Sequence, residues 1–357
     1  MRNPSQEAAI STIRRSRPPL VWVGWLSMGT LALFVLYILA KNLVSNPSLF
    51  VQNVIDGLKL GFVYALIALG YTMVYGIVQL INFAHGEVVM IGCMVAFSVI
   101  VALAPSGLPP FVIVGAGIAA AVPACMVVGY AVERVAYRPL RNAPRLAPLI
   151  TAIGVSIVLQ HLALLVWSRN IIAFPQIIDL KLYHLGSSET SAAISNIQLA
   201  IIATSIAMMA GLLLLVYRTK LGIAMRATSQ NPQVAGLMGI DVNRVISATF
   251  VIGAGLGAVA GAMVGTYYGI AHYQMGFLLG LKAFSAAVLG GIGNIPGAML
   301  GGLLLGLIEA LGAGYIGQLT GGVLGSHYQD IFAFLILVLV LIFRPSGLLG
   351  ERVADRA

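Results

Sequence analysis

The residues best suited to chemistry lie in one short segment, INFAHGEVVM, at positions 81–90. Asn82, His85 and Glu87 stand within six positions, and Gly86 separates the imidazole from the carboxylate. An imidazole and a carboxylate can transfer protons or bind a metal ion, and an asparagine can cap a turn. A metal site needs more ligands than one histidine and one glutamate, so we expect no metal here. A capped turn is the simplest interpretation of the segment. In that interpretation Gly86 lets the chain turn, and His85 and Glu87 reach an aqueous interface.

Two further ionisable residues, Lys282 and Glu309, lie inside apolar stretches. A charge buried in lipid costs about 2.5–3.5 kcal/mol on insertion scales, so each of these groups needs a partner or access to water. One hypothesis is an ion pair that joins two helices. The alternative is that each side chain lies near an interface and extends its charged end to water.

Uncharged polar side chains mark two more apolar stretches. His161 follows Gln160, and we expect the histidine to form a hydrogen bond to a neighbouring helix rather than to a substrate. Tyr64, Tyr71 and Tyr75 recur at helical spacing and therefore share one face of a helix. Packing is the expected use of these rings, and lining a translocation path is the alternative.

The composition shows what kind of element must hold these residues. Of 357 residues, 59% are hydrophobic and 9% are charged, and the mean hydropathy is +0.98. Soluble domains carry about 25% charged residues, so the chain is predicted to be a polytopic membrane protein. Its long apolar runs exclude a β-barrel, whose strands alternate polar and apolar residues. Cys93 and Cys125 are interpreted as small buried apolar residues.

Apolar runs of about 20 residues predict an all-α fold of eight to ten transmembrane helices with close packing at glycines. The ten candidate spans are 20–41, 55–79, 86–104, 109–132, 147–168, 198–217, 246–267, 279–293, 296–316 and 328–344. The eighth run is short and glycine-rich, so a broken or re-entrant segment is expected there. Gly257, Gly261 and Gly265 recur every four residues, which allows a neighbouring helix to approach closely.

Loop charges predict the orientation of these helices. The basic loops 133–146 and 218–245 fall on the same side as both chain ends, which by the positive-inside rule is the cytoplasm. The organisation predicted from these boundaries has four parts. They are a cytoplasmic tail at 1–19, an extra N-terminal transmembrane helix at 20–48, a transmembrane domain at 49–345 and a cytoplasmic tail at 346–357.

The basic loop 218–245 contains signals for a short helix. Asn231 and Pro232 favour a helix start, Gly239 a left-handed end, and Asp241 the cap of the following helix. Three apolar residues between these signals share one face: Val234, Leu237 and Met238. A helix of two turns is unstable alone, so we expect it either to dock in a groove of a cytoplasmic partner or to rest on the membrane surface.

The sequence contains no motif of enzymes or of nucleotide-binding proteins that supports catalysis or nucleotide binding by this chain. The chain contains no HExxH, GxSxG or GxxxxGK[ST] motif, so no catalytic residue is predicted. Residues 253–258 loosely match a dinucleotide fingerprint, but they lie in a membrane run rather than in a βαβ unit. If the protein uses ATP, another chain must bind it.

Four segments together resemble the permeases of bacterial branched-chain amino acid ABC importers, the LivH type. They are ALIALGYTMVYGIVQLINFAHGEVVMIG at 65–92, ERVAYRPLRNAP at 133–144, KAFSAAVLGGIGNIPGAMLGG at 282–302 and FRPSGLLG at 343–350. The resemblance covers about residues 50–350, and the combination of segments is specific.

This resemblance implies a transport complex in the bacterial inner membrane. Its partners would be a LivM-type permease, two cytoplasmic subunits that bind ATP and magnesium, and a periplasmic protein that delivers Leu, Ile or Val. This chain itself would bind no cofactor and no nucleic acid. The loop 218–245 would couple to the ATPase subunits, and His85 and Glu87 would take part in gating or in contacts between subunits.

Two other functions remain open. Related permeases with similar motifs imply urea or short amides as alternative substrates. An ion-coupled secondary transporter would use buried carboxylates as a relay, for which Glu87 and Glu309 are the candidates. That function leaves the short helix in the basic loop unexplained.

Overall fold

The computed structural model describes residues 37–141, 143–144, 146–186, 191–319 and 328–350. The predicted tail at 1–19 and most of the predicted first span, 20–41, therefore lie outside the described residues. So does most of the C-terminal tail, 351–357.

Helices dominate the described residues. The helices are α1 (Pro47–Val78), α2 (His85–Leu103), α3 (Pro110–Val132), α4 (Leu146–Val166), α5 (Asn196–Arg218), α6 (Lys220–Gln230), α7 (Pro232–Leu237), α8 (Val242–Tyr268), α9 (Met275–Gly290), α10 (Ile295–Leu319) and α11 (Gln329–Phe343). The strands are β1 (Ile172–Ala173), β2 (Leu182–His184), β3 (Ala193–Ser195) and β4 (Ile270–Ala271). A π-helical turn, Glu133–Tyr137, extends α3.

Seven helices among the described residues are long and apolar enough to cross a membrane: α1 to α5, α8 and α10. The all-α polytopic fold is therefore confirmed. Two of the ten predicted spans correspond to shorter helices, because α9 has 16 residues and α11 has 15. About 20 helical residues are needed to cross the hydrocarbon, so neither helix crosses it alone.

The contacts along the helices give their relative directions. Gly57 and Gly61 of α1 touch Leu307 and Leu303 of α10, so these two helices are antiparallel. A Cβ on Gly261 of α8 would lie 2.0 Å from a carbonyl oxygen of α2, which confirms the predicted close approach along this glycine face.

Helix α2 begins half-way along its neighbour α8. His85, the first residue of α2, lies against Gly257, near the middle of α8, and Cys93 lies against Gly265 farther along. The two helices are therefore parallel, and α2 covers only the second half of α8. Between the end of α1 and the start of α2, the chain returns towards the centre of the bundle as a non-helical segment, 79–84.

Helix α9 also begins in the centre of the bundle and runs the other way. Its residue Gly276 touches Gly86 of α2, and its last residue, Gly290, touches Gly297 near the start of α10. Helices α2 and α9 thus start at the same depth and extend to opposite ends. We call the contact between their first turns the half-helix junction.

The two ends of the bundle differ in composition. Helices α6 and α7 lie at one end, which we call the basic end. Its basic residues are Arg134, Arg138, Arg141, Arg218, Lys220, Arg226 and Arg244. The opposite end carries two short antiparallel pairs, β1 with β4 and β2 with β3, and we call it the strand end.

Candidate functional site

The half-helix junction brings two backbones into direct contact. A Cβ on Gly276 would lie 2.4 Å from the carbonyl oxygen of Gly86, and a Cβ on Gly280 would lie 2.9 Å from the Gly86 Cα. Real Cβ atoms do not approach so closely, so glycine is required where these first turns meet. Both helices place the positive ends of their dipoles at this contact.

Glu87 occupies the junction and is fully buried. Its Oε1 accepts hydrogen bonds from Ser156 Oγ at 3.0 Å and from Gln160 Nε2 at 2.7 Å, both on α4. Its Oε2 lies beside Gly276, and no hydrogen bond to this oxygen is found among the described residues. Two neutral hydrogen-bond donors and two helix N-termini therefore stabilise the carboxylate.

His85 is buried beside Glu87 and is held by packing. Its ring lies against Gly70 and meets Tyr71 edge-on, with ring centroids 4.9 Å apart. Its Nε2 has no hydrogen-bond partner among the described residues. The prediction that His85 and Glu87 reach an aqueous interface is wrong, because α2 begins in the middle of the bundle rather than at its end.

The turn before α2 is made by residues other than the predicted glycine. Gly86 lies inside the first turn of α2, whereas the left-handed residue is Gln79, with φ of 55°. Asn82 caps the turn, since its Oδ1 accepts hydrogen bonds from Ala84 N and from Tyr137 Oη, each at 3.1 Å. The turn therefore holds the start of α2 against the end of α3.

A small cavity of about 290 Å³ adjoins the junction. Its wall is apolar apart from two hydroxyl groups, and one of these, Ser156, also donates to Glu87. The lining residues are Tyr71, Phe83, Ile153, Ser156, Phe277 and Leu281. The junction carboxylate and the cavity are therefore linked through one side chain of α4.

The second buried carboxylate, Glu309, has a cation. Lys282 Nζ lies 2.7 Å from Glu309 Oε1 and 2.6 Å from Asp330 Oδ1, and Tyr64 Oη donates to Glu309 Oε2 at 2.9 Å. These four residues, which we call the lysine cluster, join α1, α9, α10 and α11. Lys282 and Glu309 are both buried, so the structure contains the interhelical ion pair rather than two groups that reach water. The sequence analysis missed Asp330, whose only signal is its place at the start of the last apolar run.

The remaining polar candidates on α1 and α4 lie apart from both carboxylates. His161 is exposed, and its Nδ1 lies 2.8 Å from the carbonyl oxygen of Ile157 on its own helix. The prediction that His161 forms a hydrogen bond to another helix is therefore wrong. Adjacent residues on a helix point in different directions, and Gln160 is the residue that reaches α2. Tyr75 is partly buried near Gly293 and does not reach the junction.

Helix α7 in the basic loop has the caps that its sequence favours. Asn231 Oδ1 accepts hydrogen bonds from the backbone N–H of Gln233 and of Val234, and Pro232 is the first helical residue. Gly239 adopts φ of 85°, and Asp241 Oδ1 accepts from Arg244 N at 3.1 Å. The apolar residues of α7 are exposed: Val234 by 51%, Leu237 by 87% and Met238 by 78%.

A third buried carboxylate, Glu133, anchors the basic end. It forms an ion pair with Arg141 and accepts a hydrogen bond at 2.7 Å from Ser247 Oγ of α8. Cys93 and Cys125 are buried and unpaired, and no group of metal ligands occurs among the described residues.

Comparison with known proteins places this architecture in a family. Residues 53–341 match the family described as "Branched-chain amino acid transport system / permease component". The chain belongs to this family. It is therefore a membrane-embedded transport permease.

Relatives from bacteria and archaea are similar over most of their length. The permease protein BraD of a high-affinity branched-chain amino acid transport system from Pseudomonas aeruginosa is 48% identical, over 85% of this chain and 96% of the relative. The corresponding LivH protein of Escherichia coli is 46% identical, over 85% and 96%. A probable LivH of Methanocaldococcus jannaschii is 28% identical, over 80% and 88%. No solved structure is significantly similar to the chain.

Proposed function

We propose that this permease imports branched-chain amino acids as one membrane subunit of an ATP-driven transporter in the bacterial inner membrane. The main support is its 46–48% identity to relatives whose names state high-affinity branched-chain amino acid transport. The further subunits of the complex are a second, LivM-type permease, two ATPase subunits that bind ATP and magnesium, and a periplasmic binding protein. This chain itself binds no cofactor.

In this proposal, the basic end faces the cytoplasm, and α7 couples the permease to an ATPase subunit. The excess of arginine and lysine at this end supports the orientation. The exposed Leu237 and Met238 support the docking, because a six-residue helix with an apolar face is stabilised when a groove covers it.

The half-helix junction acts as a gate in the same proposal. Discontinuous helices that meet at the centre of a membrane protein commonly form transport sites. A buried carboxylate held by neutral donors supports such a role, since intramembrane ionisable groups are usually functional. Movement of α9 relative to α2 would change the surroundings of Glu87 and open or close the adjacent cavity.

Disruption of the apolar face of α7 tests this proposal. Leu237→Asp places a charge in the docking face, and we expect the purified permease to lose its ATPase subunits and its ATP-driven leucine uptake. Leu185→Asp is the matched control, because Leu185 is 61% exposed at the strand end. Uptake and co-purification at wild-type levels in Leu237→Asp would refute the coupling role, and leucine uptake that persists without ATPase subunits would refute ATP-driven import.

A further inference from the structure

A further cavity lies at the strand end, where the start of α1 meets α5 and the end of α8. Its volume is about 650 Å³, within the range of ligand pockets of about 300–1,000 Å³. The non-helical chain between β1 and β2 forms part of its wall. The side chains used below are Gln52, Asp56, Ile177, Ile178, Leu180, Ile197, Gln198 and Tyr267. We call this space the strand-end cavity.

One carboxylate is fixed in the wall of the strand-end cavity. Asp56 accepts a hydrogen bond from Gln198 Nε2 at 2.9 Å and another from Gln52 Nε2 at 3.1 Å. Both amides line the cavity themselves, and the Asp56 side chain remains 37% exposed. The carboxylate is thus held in place without being covered.

One ammonium group lies next to this carboxylate. Lys59 is 7% exposed, and its Nζ lies 3.7 Å from the centroid of the Tyr267 ring, which lines the cavity. The same Nζ is 3.6 Å from Asp56 Oδ1. A direct charged hydrogen bond is about 2.7–2.9 Å long, so Asp56 and Lys59 do not form one with each other. Each ion keeps capacity for a further charged partner.

The rest of the wall offers branched apolar side chains. Ile177, Ile178, Leu180 and Ile197 line the same cavity as Asp56. An aliphatic side chain packs well on such a surface. The carboxylate of Asp56 lies in the wall itself, and the ammonium of Lys59 lies behind the wall, against the Tyr267 ring.

We propose that the strand-end cavity binds the substrate itself, as a zwitterionic aliphatic amino acid, before it passes along the permease. Asp56 receives the α-ammonium group, Lys59 receives the α-carboxylate, and the isoleucine and leucine side chains contact the branched side chain. The inference rests on the proposed function, because that function supplies the substrate class and places the strand end on the periplasmic side.

Protection of an introduced thiol tests this binding directly. Ile178→Cys puts a thiol in the cavity wall, and the native Cys93 and Cys125 are buried, so a maleimide should label the new thiol selectively. In the purified complex, we expect saturating leucine to slow labelling. Isoamylamine lacks the carboxylate and 4-methylpentanoate lacks the ammonium, so neither should protect. Leu185→Cys, an exposed site on the same end, should label equally with and without leucine.

Variants of the two charged residues test whether Asp56 and Lys59 are needed for the protection by leucine. Asp56→Asn and Lys59→Gln, each combined with Ile178→Cys, should weaken protection by leucine by roughly ten- to a hundredfold. Labelling that leucine does not slow, or protection that both charge variants retain, would overturn the binding site. ATP-driven leucine uptake by the wild-type complex measures the proposed function separately. Uptake without protection refutes this site alone, and absence of uptake refutes the proposed function and this inference with it.

Discussion

Glu87 and Glu309 are two buried carboxylates that the same bundle stabilises in different ways. Glu309 shares a cation with Asp330 and also accepts a hydrogen bond from a tyrosine. Glu87 has neutral donors on one oxygen, while its other oxygen has no hydrogen-bond partner among the described residues. The first arrangement ties four helices together. The second leaves a negative charge at the point where two half-helices meet.

In the proposed function, this difference separates a structural charge from a charge that is available for transport. Removing one member of a buried ion pair leaves the other uncompensated, so the lysine cluster is expected to determine stability. A carboxylate held by a serine and an amide keeps these hydrogen bonds when it is replaced by glutamine. We therefore propose a folding role for Glu309 and, within the proposed function, a gating role for Glu87.

Loss of the cation in the lysine cluster should have the largest effect on stability. Lys282→Met leaves the buried Glu309 and the partly exposed Asp330 without their cation, and we expect the free energy of unfolding in detergent to fall by about 3–5 kcal/mol. Lys181→Met is the control, since Lys181 is exposed at the strand end. Equal stability of the two variants would remove the distinction between the carboxylates.

Two adjacent residues of α4 test the hydrogen bond to Glu87, because Gln160 donates to it and His161 does not. Gln160→Ala removes a hydrogen bond to a buried charge, and we expect a loss of about 1.5–3 kcal/mol in the free energy of unfolding. His161→Ala changes an exposed neighbour and should alter it by less than about 0.5 kcal/mol. If His161→Ala is the more damaging variant, the orientation of α4 in this account is incorrect.

The contact between the half-helices gives a smaller effect. Gly276→Ala would place a methyl group against the Gly86 carbonyl oxygen, and overpacking of this kind costs about 1–3 kcal/mol. Gly115→Ala on α3 is the matched control, because nothing lies within 4 Å of the position that its Cβ would take. Thermal unfolding measures both, and a neutral Gly276→Ala would show that the junction is loosely packed.

The sequence predicts those features whose causes are local. Apolar runs predict the long helices, and Asn231, Pro232 and Gly239 predict α7, because caps act within a few residues. The depth at which α2 begins depends on glycines of α9 that are distant in the sequence, so no local signal reveals it. The same limit applies to Asp330, whose ion pair requires α9 and α11 to meet. His161 was misplaced because adjacent residues on a helix point in different directions.

Leucine uptake by Glu87→Gln tests the central claim most directly. Glutamine keeps the size of the side chain and an oxygen for Ser156 and Gln160, so we expect wild-type amounts of folded protein. We expect ATP-driven uptake in proteoliposomes to fall by about tenfold or more, because the charge at the junction is lost. Asp179→Asn, at an exposed carboxylate, should transport normally. Wild-type uptake by Glu87→Gln would contradict the account and leave the junction with a packing role alone.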